Sequence, residues 1–398
     1  MNKTEIFYKS LEKLERYVEY CKYIGYDPYD ALNSEVLEKI NSGFIRLLFT
    51  QFFVYSPLNF RYFFRTTCSI NPKAVGLILS SYCKMRDINL LKEKKFLTLS
   101  KRLVNILLDN CSKGYSGYCW GFNFNWQDLY HYTKKGVPTI VVTSFVGNSF
   151  LDLYKITKNK KYLEIAESSC HFILNDLNII RIGKGFCFSY TPIDKFVVHD
   201  ANLLGASFLS RVYSITKDDV LIKKAKQAFD FSMSYQKNDG SWIYGVNPIT
   251  GKKRNQIDYH QGFIIDSLCD FMSYSNEKKD DYIQALIKGA EFYIAKQFDT
   301  SGRSKWRLPW RFPIDIHHQA QGIITFSKIN DALNDKRYLE FANRIALWTI
   351  ENMQDETGYF YYQKWPFFTN KIPYMRWGQA WMMLALSTLL ETIKKEYK

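Results

Sequence analysis

The sequence predicts an all-α protein in which about six helical hairpins close into a ring. Three observations support this prediction: a repeat of about 60 residues, two alternating classes of helix, and an aromatic loop after a glycine turn in each repeat. No segment rich in proline, glycine or serine divides the 398-residue chain. We therefore expect one domain spanning 1–398, with residues 1–66 forming outer helices at the N-terminus.

Five segments share one plan, in which an amphipathic helix leads to a polar turn and then to a cluster of aromatic residues. Each turn contains a glycine, and successive turn glycines are 68, 55, 62 and 56 residues apart: Gly117, Gly185, Gly240, Gly302 and Gly358. Helices commonly end in a left-handed residue, a conformation that glycine adopts freely. We therefore interpret these glycines as helix ends.

A second set of helices lies between the turns and is apolar on most faces, as a helix buried on two sides should be. We place its members near residues 71–85, 139–157, 200–217, 260–275, 317–333 and 376–395. The helices before the turns, such as KKYLEIAESSCHF, are apolar on one face only. An inner ring surrounded by an outer ring accounts for both classes, whereas helical solenoids repeat at about 34–47 residues.

Composition restricts the partners and the compartment. The net charge of +15 favours an anionic partner, but no nucleic-acid-binding module is recognisable, so a nucleic acid is not expected. Eight cysteines without a CxxC pair, and an N-terminus without the apolar core of a signal peptide, indicate a cytoplasmic protein. Nothing in the sequence indicates an oligomeric state.

The most apolar stretch, residues 44–64, is interrupted by Arg46, Pro57 and Arg61. It is therefore unsuited to spanning a membrane. A buried core segment is the favoured interpretation, and weak association with a membrane surface is the alternative.

Polar residues cluster where the inner helices begin. Because every inner helix starts at the same rim of the ring, these side chains should meet at one cavity. Helix capping explains some of the aspartates and threonines, but it does not explain why four of the six histidines fall at this position. The residues are Thr139 and Thr143; His199, Asp200 and Asn202; Asp258, Tyr259 and His260; Asp315, His317 and His318; and Arg376, Trp377 and Gln379.

Aromatic residues of the turn loops should reach the same rim, where their flat faces can stack on sugar rings. Together with Asn202, Asp315 and Trp377 from the helix starts, they form a predicted substrate-binding set. Its members from the loops are Trp126, Gln127, Tyr190, Trp242, Trp310 and Tyr361.

Five distinctive motifs span the chain: GYDPYDALNS (25–34), NPKAVGL (71–77), WGFNFNWQ (120–127), PIDIHHQAQ (313–321) and YMRWGQAW (374–381). They resemble a family of largely uncharacterised proteins that are often encoded beside surface-polysaccharide genes. The whole chain resembles the (α/α)6-toroid carbohydrate-active proteins, the six-hairpin glycosidase-like and polysaccharide-lyase-like folds. The resemblance implies a toroid and a role in exopolysaccharide biosynthesis, but it brings no catalytic motif, so residue roles are assigned here from chemistry.

The leading hypothesis is cleavage or remodelling of an acidic, uronate-containing polysaccharide or oligosaccharide, by β-elimination or by abstraction of the C5 proton. This chemistry needs a group that neutralises the carboxylate, a base for the proton, and an acid for the leaving oxygen. The candidates are, in that order, Arg376 or Asn202, His260 or His317, and Tyr259 or Tyr190.

The main alternative is a glycoside hydrolase, in which two carboxyl groups flank the scissile bond. Asp200, Asp258 and Asp315 share the rim, and Asp27 and Asp30 are further candidates. A non-catalytic glycan-binding protein is the second alternative. QKNDGSW (236–242) resembles the QW repeat of terpene cyclases, but one copy without an aspartate-rich motif gives little support. We expect neither a cofactor nor a metal site.

Overall fold

The computed structural model describes residues 2–127, 132–183, 185–276 and 280–396. Within these residues the chain forms thirteen α-helices. In chain order they are α1 (Lys3–Tyr20), α2 (Gly43–Tyr55), α3 (Pro72–Asp87), α4 (Glu93–Asp109), α5 (Ile140–Thr157), α6 (Lys160–Asn175), α7 (His199–Thr216), α8 (Asp219–Met233), α9 (His260–Ser275), α10 (Asp280–Gln297), α11 (Ile316–Leu333), α12 (Lys336–Met353) and α13 (Trp381–Glu396).

Helices α3, α5, α7, α9, α11 and α13 form the inner ring. Each packs against the next one in this order, and α13 packs against α3, which closes the ring. Helices α1, α4, α6, α8, α10 and α12 lie outside it, each against an inner helix. The predicted all-α ring is confirmed, and every inner helix lies within two residues of its predicted position, except that α13 is preceded by a π-helical turn at Met375–Ala380.

The two classes of helix differ in how their apolar residues are spaced. On α4, the buried residues Phe96, Leu99, Leu103 and Leu107 recur every three or four positions and so form one face. On α7, every residue from 199 to 210 is buried, because this helix packs against inner neighbours as well as against α8.

Twelve two-residue strands lie in the described part of the chain, and all of them belong to connections that lead from an outer helix to the following inner helix. They form five small antiparallel sheets at this end of the ring. The strands are β1 (Ile24–Gly25), β2 (Ser69–Ile70), β3 (Trp126–Gln127), β4 (Tyr132–Thr133), β5 (Ile179–Ile180), β6 (Cys187–Phe188), β7 (Val197–Val198), β8 (Gly245–Val246), β9 (Lys253–Arg254), β10 (Ile314–Asp315), β11 (Gln363–Lys364) and β12 (Thr369–Asn370).

The N-terminal segment supplies the sixth hairpin. Helix α1 packs against α12 and α13, and Ser10 Oγ donates a hydrogen bond of 2.7 Å to Gln354 Oε1. The connection from α1 to α3 contains two 3₁₀ turns, Asp30–Asn33 and Leu37–Lys39, and then α2. Helix α2 contacts the first of these turns and β3, so it lies among the connections and not in the outer ring.

The interpretation of residues 44–64 as a buried core segment is wrong for one face of α2. Phe53 and Val54 are buried, whereas Phe44, Leu48 and Phe52 are exposed and recur every four residues on the other face. None of the described helices is long and apolar enough to cross a membrane.

The turn glycines are not helix ends, so the interpretation made from the sequence is wrong. Gly240 has φ +89° and lies in a tight turn in which Lys237 N donates to Ser241 O over 2.7 Å. A Cβ atom on Gly240 would lie 2.2 Å from the carbonyl oxygen of Lys288 on α10, and one on Gly358 would lie 2.4 Å from that of Lys13 on α1. Glycine recurs because each turn packs directly against the next outer helix. The left-handed helix ends belong to other residues: Lys158, Lys217, Asn276 and Asn334.

Candidate active site

A cavity of about 500 Å³ opens at the end of the ring where the connections lie. Side chains from five inner helices, from α2 and from the turn loops line it. It contains eleven of the sixteen predicted site residues: Trp126, Gln127, Tyr190, Asp200, Asp258, Tyr259, His260, Asp315, His317, Arg376 and Trp377.

A polar side chain near the start of five of the six inner helices positions the loop that precedes it. Gln261 Oε1 accepts a hydrogen bond from Trp242 N and its Nε2 donates to Trp242 O, both at 2.8 Å. Gln379 makes the same pair of bonds, also at 2.8 Å, with the backbone of Phe360. We call these residues the loop clamps, and they follow one another at intervals of 59, 59, 58 and 60 residues: Thr143, Asn202, Gln261, Gln319 and Gln379.

The loop clamps set the register of the cavity. The residue two positions before each clamp points into the cavity in all five helices: Val141, Asp200, Tyr259, His317 and Trp377. The clamp itself points towards the outer loop, because two positions along a helix correspond to about 200° of rotation. The repeat therefore brings the residue at this one position of all five helices to the cavity wall.

Asp258 and His260 form the most strongly coupled pair in the cavity. Asp258 Oδ1 lies 2.6 Å from His260 Nδ1, and Asp258 Oδ2 accepts a bond of 2.6 Å from Gln256. Burial alone would raise the pKa of Asp258, but His260, Arg307 and Gln256 outweigh it and lower that pKa. Burial alone would lower the pKa of His260, but the carboxylates of Asp258 and Asp200 raise it above its ordinary value. Because Asp258 is ionised, Nδ1 of His260 carries a proton and Nε2 is the nitrogen that exchanges one.

Tyr259 lies between two imidazoles. Its ring centroid is 4.2 Å from that of His260 and 4.5 Å from that of His317. Burial raises the pKa of the Tyr259 phenol well above its ordinary value, so the group is a proton donor and not a phenolate at neutral pH. Neither ring nitrogen of His317 has a hydrogen-bond partner, and burial together with Lys73 and Arg376 keeps its pKa well below the ordinary value. His317 is therefore a neutral imidazole with unused hydrogen-bonding groups.

Two carboxyl groups of the cavity have raised pKa values. Burial raises the pKa of Asp315 to about 6, although Gln363 Nε2 and Trp377 Nε1 each donate to it over 2.9 Å. Burial also raises the pKa of Asp200, whose Oδ1 has no partner. Asp315 caps α11 by accepting from His317 N, as the capping explanation predicts, but Asp200 lies inside α7 and caps nothing.

Arg376 lies in the π-helical turn and its charge is already compensated. Its guanidinium makes two bonds to the carboxylate of Asp27, with Nε 2.5 Å from Oδ2 and Nη2 2.7 Å from Oδ1. Burial opposes the charge, but Asp27 raises the pKa of Arg376. This pair departs from the expectation of a free cation for a substrate carboxylate, and it assigns Asp27 to positioning Arg376.

Lys73 is a buried basic residue of the cavity that was not predicted from the sequence. It lies on α3, is 4% exposed and lines the cavity, with Nζ 4.6 Å from the ring centroid of Phe145 and 5.0 Å from that of Trp381. Burial, together with Arg376, lowers the pKa of Lys73 well below its ordinary value. Position could have revealed it, because Lys73 is the second residue of α3 and so lies at the same rim as the predicted residues.

Three predicted residues are buried outside the cavity. Asn202 is a loop clamp, with Oδ1 accepting from Phe188 N and Nδ2 donating to Ala228 O, so it has no free group for a substrate. His199 Nδ1 lies 3.1 Å from Ser232 Oγ, and burial lowers its pKa to about 3. Trp242 is fully buried. His199 and Asn202 are three positions apart on α7, so both face outward where Asp200 faces inward.

The other predicted residues outside the cavity are loop aromatics. Trp310 is exposed, and Tyr361 donates its hydroxyl to Asp355 Oδ2 over 3.0 Å.

His318 is buried behind the cavity, with its ring 5.2 Å from that of Phe298 and 5.8 Å from that of Tyr293. Adjacent residues on a helix point in different directions, which separates His318 from His317.

A groove of about 380 Å³ continues the cavity towards solvent. Trp126, Tyr190, Tyr244 and Arg254 line both the groove and the cavity. Lys252 and Lys253 line the groove only, on the hairpin of β8 and β9. The groove therefore combines aromatic side chains with three basic residues: Lys252, Lys253 and Arg254.

No protein-family model and no curated protein matches the chain. Among solved structures it is similar to cellobiose 2-epimerase from Bacillus thermoamylovorans, with 14% identity and a TM-score of 0.65 over 82% of this chain and 88% of that one. It is also similar to a glycoside hydrolase family 76 mannosidase from Bacteroides thetaiotaomicron (12%, 0.64, all of both chains) and to an α-1,6-mannanase from Salegentibacter (13%, 0.63, 99% of both). These likenesses establish that the chain has the (α/α)6-toroid, six-hairpin glycosidase-like fold.

Proposed function

We propose that the protein is a carbohydrate-active enzyme that removes the C5 proton of a uronate residue in an acidic polysaccharide or oligosaccharide. The observation that carries this proposal is the Asp258–His260 pair, with Nδ1 and Oδ1 at 2.6 Å, beside Tyr259 and the unpaired His317. A carboxylate that holds the Nδ1 proton makes Nε2 of the same histidine an effective general base.

Each step has a residue of suitable protonation state. The C5 proton passes to His260 Nε2, and Tyr259 protonates the leaving oxygen as the C4–O bond breaks and a C4–C5 double bond forms. In an epimerase, the proton returns to the other face of C5 and no bond to oxygen breaks. His317, as a neutral imidazole, hydrogen-bonds the substrate carboxyl group and stabilises the charge that develops there.

Lys73 takes the role that the sequence analysis gave to Arg376 or Asn202. Both of those side chains have their polar groups occupied by other residues, whereas Lys73 is buried and has no ion pair with a carboxylate in the described part of the chain. A uronate carboxylate beside Lys73 would restore its favourable electrostatic environment and raise its pKa. Substrate charge is thereby compensated at the position where the carbanion forms.

The groove supports a polymeric or oligomeric substrate. Its aromatic side chains offer flat faces for further sugar rings, and Lys252, Lys253 and Arg254 suit further acidic groups. Two kinds of structural neighbour are consistent with the proposal, since one is a cellobiose 2-epimerase and another an α-1,6-mannanase.

The test is incubation of the protein with glucuronate, galacturonate and mannuronate polymers in D₂O. We expect unsaturated product by ultraviolet absorbance, or deuterium at C5 by NMR. His260→Asn should abolish both signals, and His171→Asn, which changes an exposed histidine on α6, should preserve them. New reducing ends without unsaturation or deuterium would overturn proton abstraction.

Glycoside hydrolysis is the second candidate, and the raised pKa values of Asp200 and Asp315 favour it. The carboxyl group of Asp315, whose pKa is about 6, is partly protonated near neutral pH and can serve as the general acid, with Asp200 as the second carboxyl group. Asp200→Asn should then abolish the release of reducing ends. If the variant hydrolyses at the rate of the original protein, Asp200 has no part in catalysis.

A further inference from the structure

The mouth of the cavity carries exposed apolar side chains on several separate segments. Helix α2 presents one apolar face to solvent and the other to the cavity, where Leu47, Val54 and Tyr55 line the wall. Three loops that lead to inner helices each end in an apolar tip that is mostly exposed. The tips are Ile249 (92%), Trp310 (66%) and Phe367 (98%).

The same segments are rich in cations. Residues 41–66, 247–257, 303–314 and 360–376 contain thirteen lysines and arginines and no aspartate or glutamate, although the whole chain has 39 acidic residues. Arg61 and Arg376 pair with buried aspartates, and Arg303, Arg307 and Arg311 pair with Asp299 or Asp258. Others are exposed, including Arg65, Lys253 and Lys371. Every apolar tip therefore lies in a segment of net positive charge.

The opposite end of the ring differs. Its connections at 158–159, 217–218 and 334–335 are two residues long and polar. Among the described residues, three exposed large apolar side chains lie at that end, on three different helices: Leu97, Ile215 and Val220. The combination of apolar tips and cations is thus a property of the cavity mouth and not of the surface as a whole.

We propose that the cavity mouth is a docking surface for a lipid bilayer that contains anionic lipids. The exposed face of α2, formed by Phe44, Leu48 and Phe52, inserts at the level of the headgroups, and the three loop tips insert around it. Lysines and arginines beside them contact the lipid phosphates. An amphipathic helix with neighbouring basic residues is the usual chemistry of such binding.

The observations favour lipid over an acidic glycan or a protein. Burial of Ile249 and Leu48 is favourable only if they leave water, and they would stay exposed to water beside a hydrated glycan. The tips stand on separate loops around an opening, which suits a fluid planar surface that each tip enters independently. A contiguous apolar patch, as in protein interfaces, is the arrangement expected for a protein partner.

Membrane docking does not depend on which reaction the protein catalyses, but it affects how a substrate reaches the cavity. Helix α2 is both a wall of the cavity and the main docking element. A docked protein therefore holds its cavity against the membrane surface, where a glycan joined to a membrane lipid can reach it.

The test is sedimentation of the full-length protein with vesicles of phosphatidylcholine, with and without phosphatidylglycerol. We expect binding only with phosphatidylglycerol, and weaker binding at high salt. The rim variant Phe44→Ser/Leu48→Ser/Phe52→Ser should partition about tenfold less for each side chain replaced, because each loses the burial of a large apolar group. Arg65→Ser/Lys371→Ser should weaken binding and reduce its salt dependence.

The matched control is Leu97→Ser/Ile215→Ser/Val220→Ser, which removes three exposed apolar side chains at the far end of the ring. It should bind as the original protein does, and circular dichroism should show all variants folded. Absence of binding to phosphatidylglycerol vesicles, or equal loss in the rim variant and the control, overturns the proposal. It is also overturned if the rim variant loses a dimer in sedimentation velocity, or binding to polygalacturonate, while vesicle binding is unchanged.

Discussion

Replacing Asp266 with asparagine should stabilise the protein at neutral pH and leave its stability unchanged in acid. Asp266 lies on α9 at a second cavity, of about 380 Å³, near the far end of the inner ring. Gln321 Nε2 donates to its Oδ2 over 2.8 Å, but its Oδ1 is buried without a partner. Burial raises the pKa of Asp266 to about 6, despite the opposing charge of Lys328.

The size of the effect follows from the two pKa values of this carboxyl group. An aspartate in the unfolded chain has a pKa of about 3.9, so folding raises it by about 2 units, which corresponds to roughly 3 kcal/mol. Below about pH 4 the group is protonated in both states and contributes no penalty. Above about pH 6 it is ionised in both states, and the folded protein bears the full penalty. Asparagine removes the charge and so removes this pH dependence.

Urea unfolding followed by tryptophan fluorescence, between about pH 4 and pH 8, measures the difference. The gain in unfolding free energy should grow with pH through the window of about 4–6 and reach at most about 3 kcal/mol. Asp270→Asn is the control, because Asp270 pairs with Lys328 at 2.7 Å and its loss should destabilise the protein at neutral pH. If Asp266→Asn and the original protein give parallel curves of stability against pH, the reasoning fails.

Three further predictions concern the site and the turns. Asp258→Asn should lower the pKa of His260, measured by NMR titration of the ring, because the carboxylate that outweighs burial is gone. Gly240→Ala should destabilise the protein by at least about 1–3 kcal/mol in urea unfolding, since its φ is +89° and the added Cβ meets a backbone carbonyl. Asp27→Asn should cost roughly 3–5 kcal/mol by leaving Arg376 buried without its partner, and a double-mutant cycle with Arg376→Gln should recover part of that loss.

The ring was predictable because the sequence features that specify it are periodic and local. Each inner helix is apolar on most faces, and the length of one repeat alone determines where the next begins. The reason for the turn glycines was not predictable in the same way. Gly240 and Gly358 are required by backbone atoms of helices that lie 48 residues later and 345 residues earlier in the chain.

The end of the ring that holds the cavity was predictable from the sequence, but the face of each helix that points into it was not. Asp200 and Asn202 are both polar and only two residues apart, so both were predicted to be site residues. The structure separates them, because Asn202 clamps the loop at Phe188 while Asp200 faces the cavity. The regular spacing of the clamps is visible in the sequence, so aligning the repeats on Gln261, Gln319 and Gln379 would have identified which position points inward.

Formation of the cavity and closure of the ring depend on the same contacts between the two ends of the chain. The N-terminal connection places Asp27 against Arg376, which lies 349 residues away, and Arg61 Nη1 donates a hydrogen bond of 2.8 Å to the Tyr374 hydroxyl. Lys73, from the first inner helix, reaches the same cavity as His317 from the fifth. A segment read from the sequence as an outer covering therefore supplies charges that hold the last repeat in place. Because these pairs join the two ends of the chain, loss of the Asp27–Arg376 pair should disturb the cavity and the stability of the ring together.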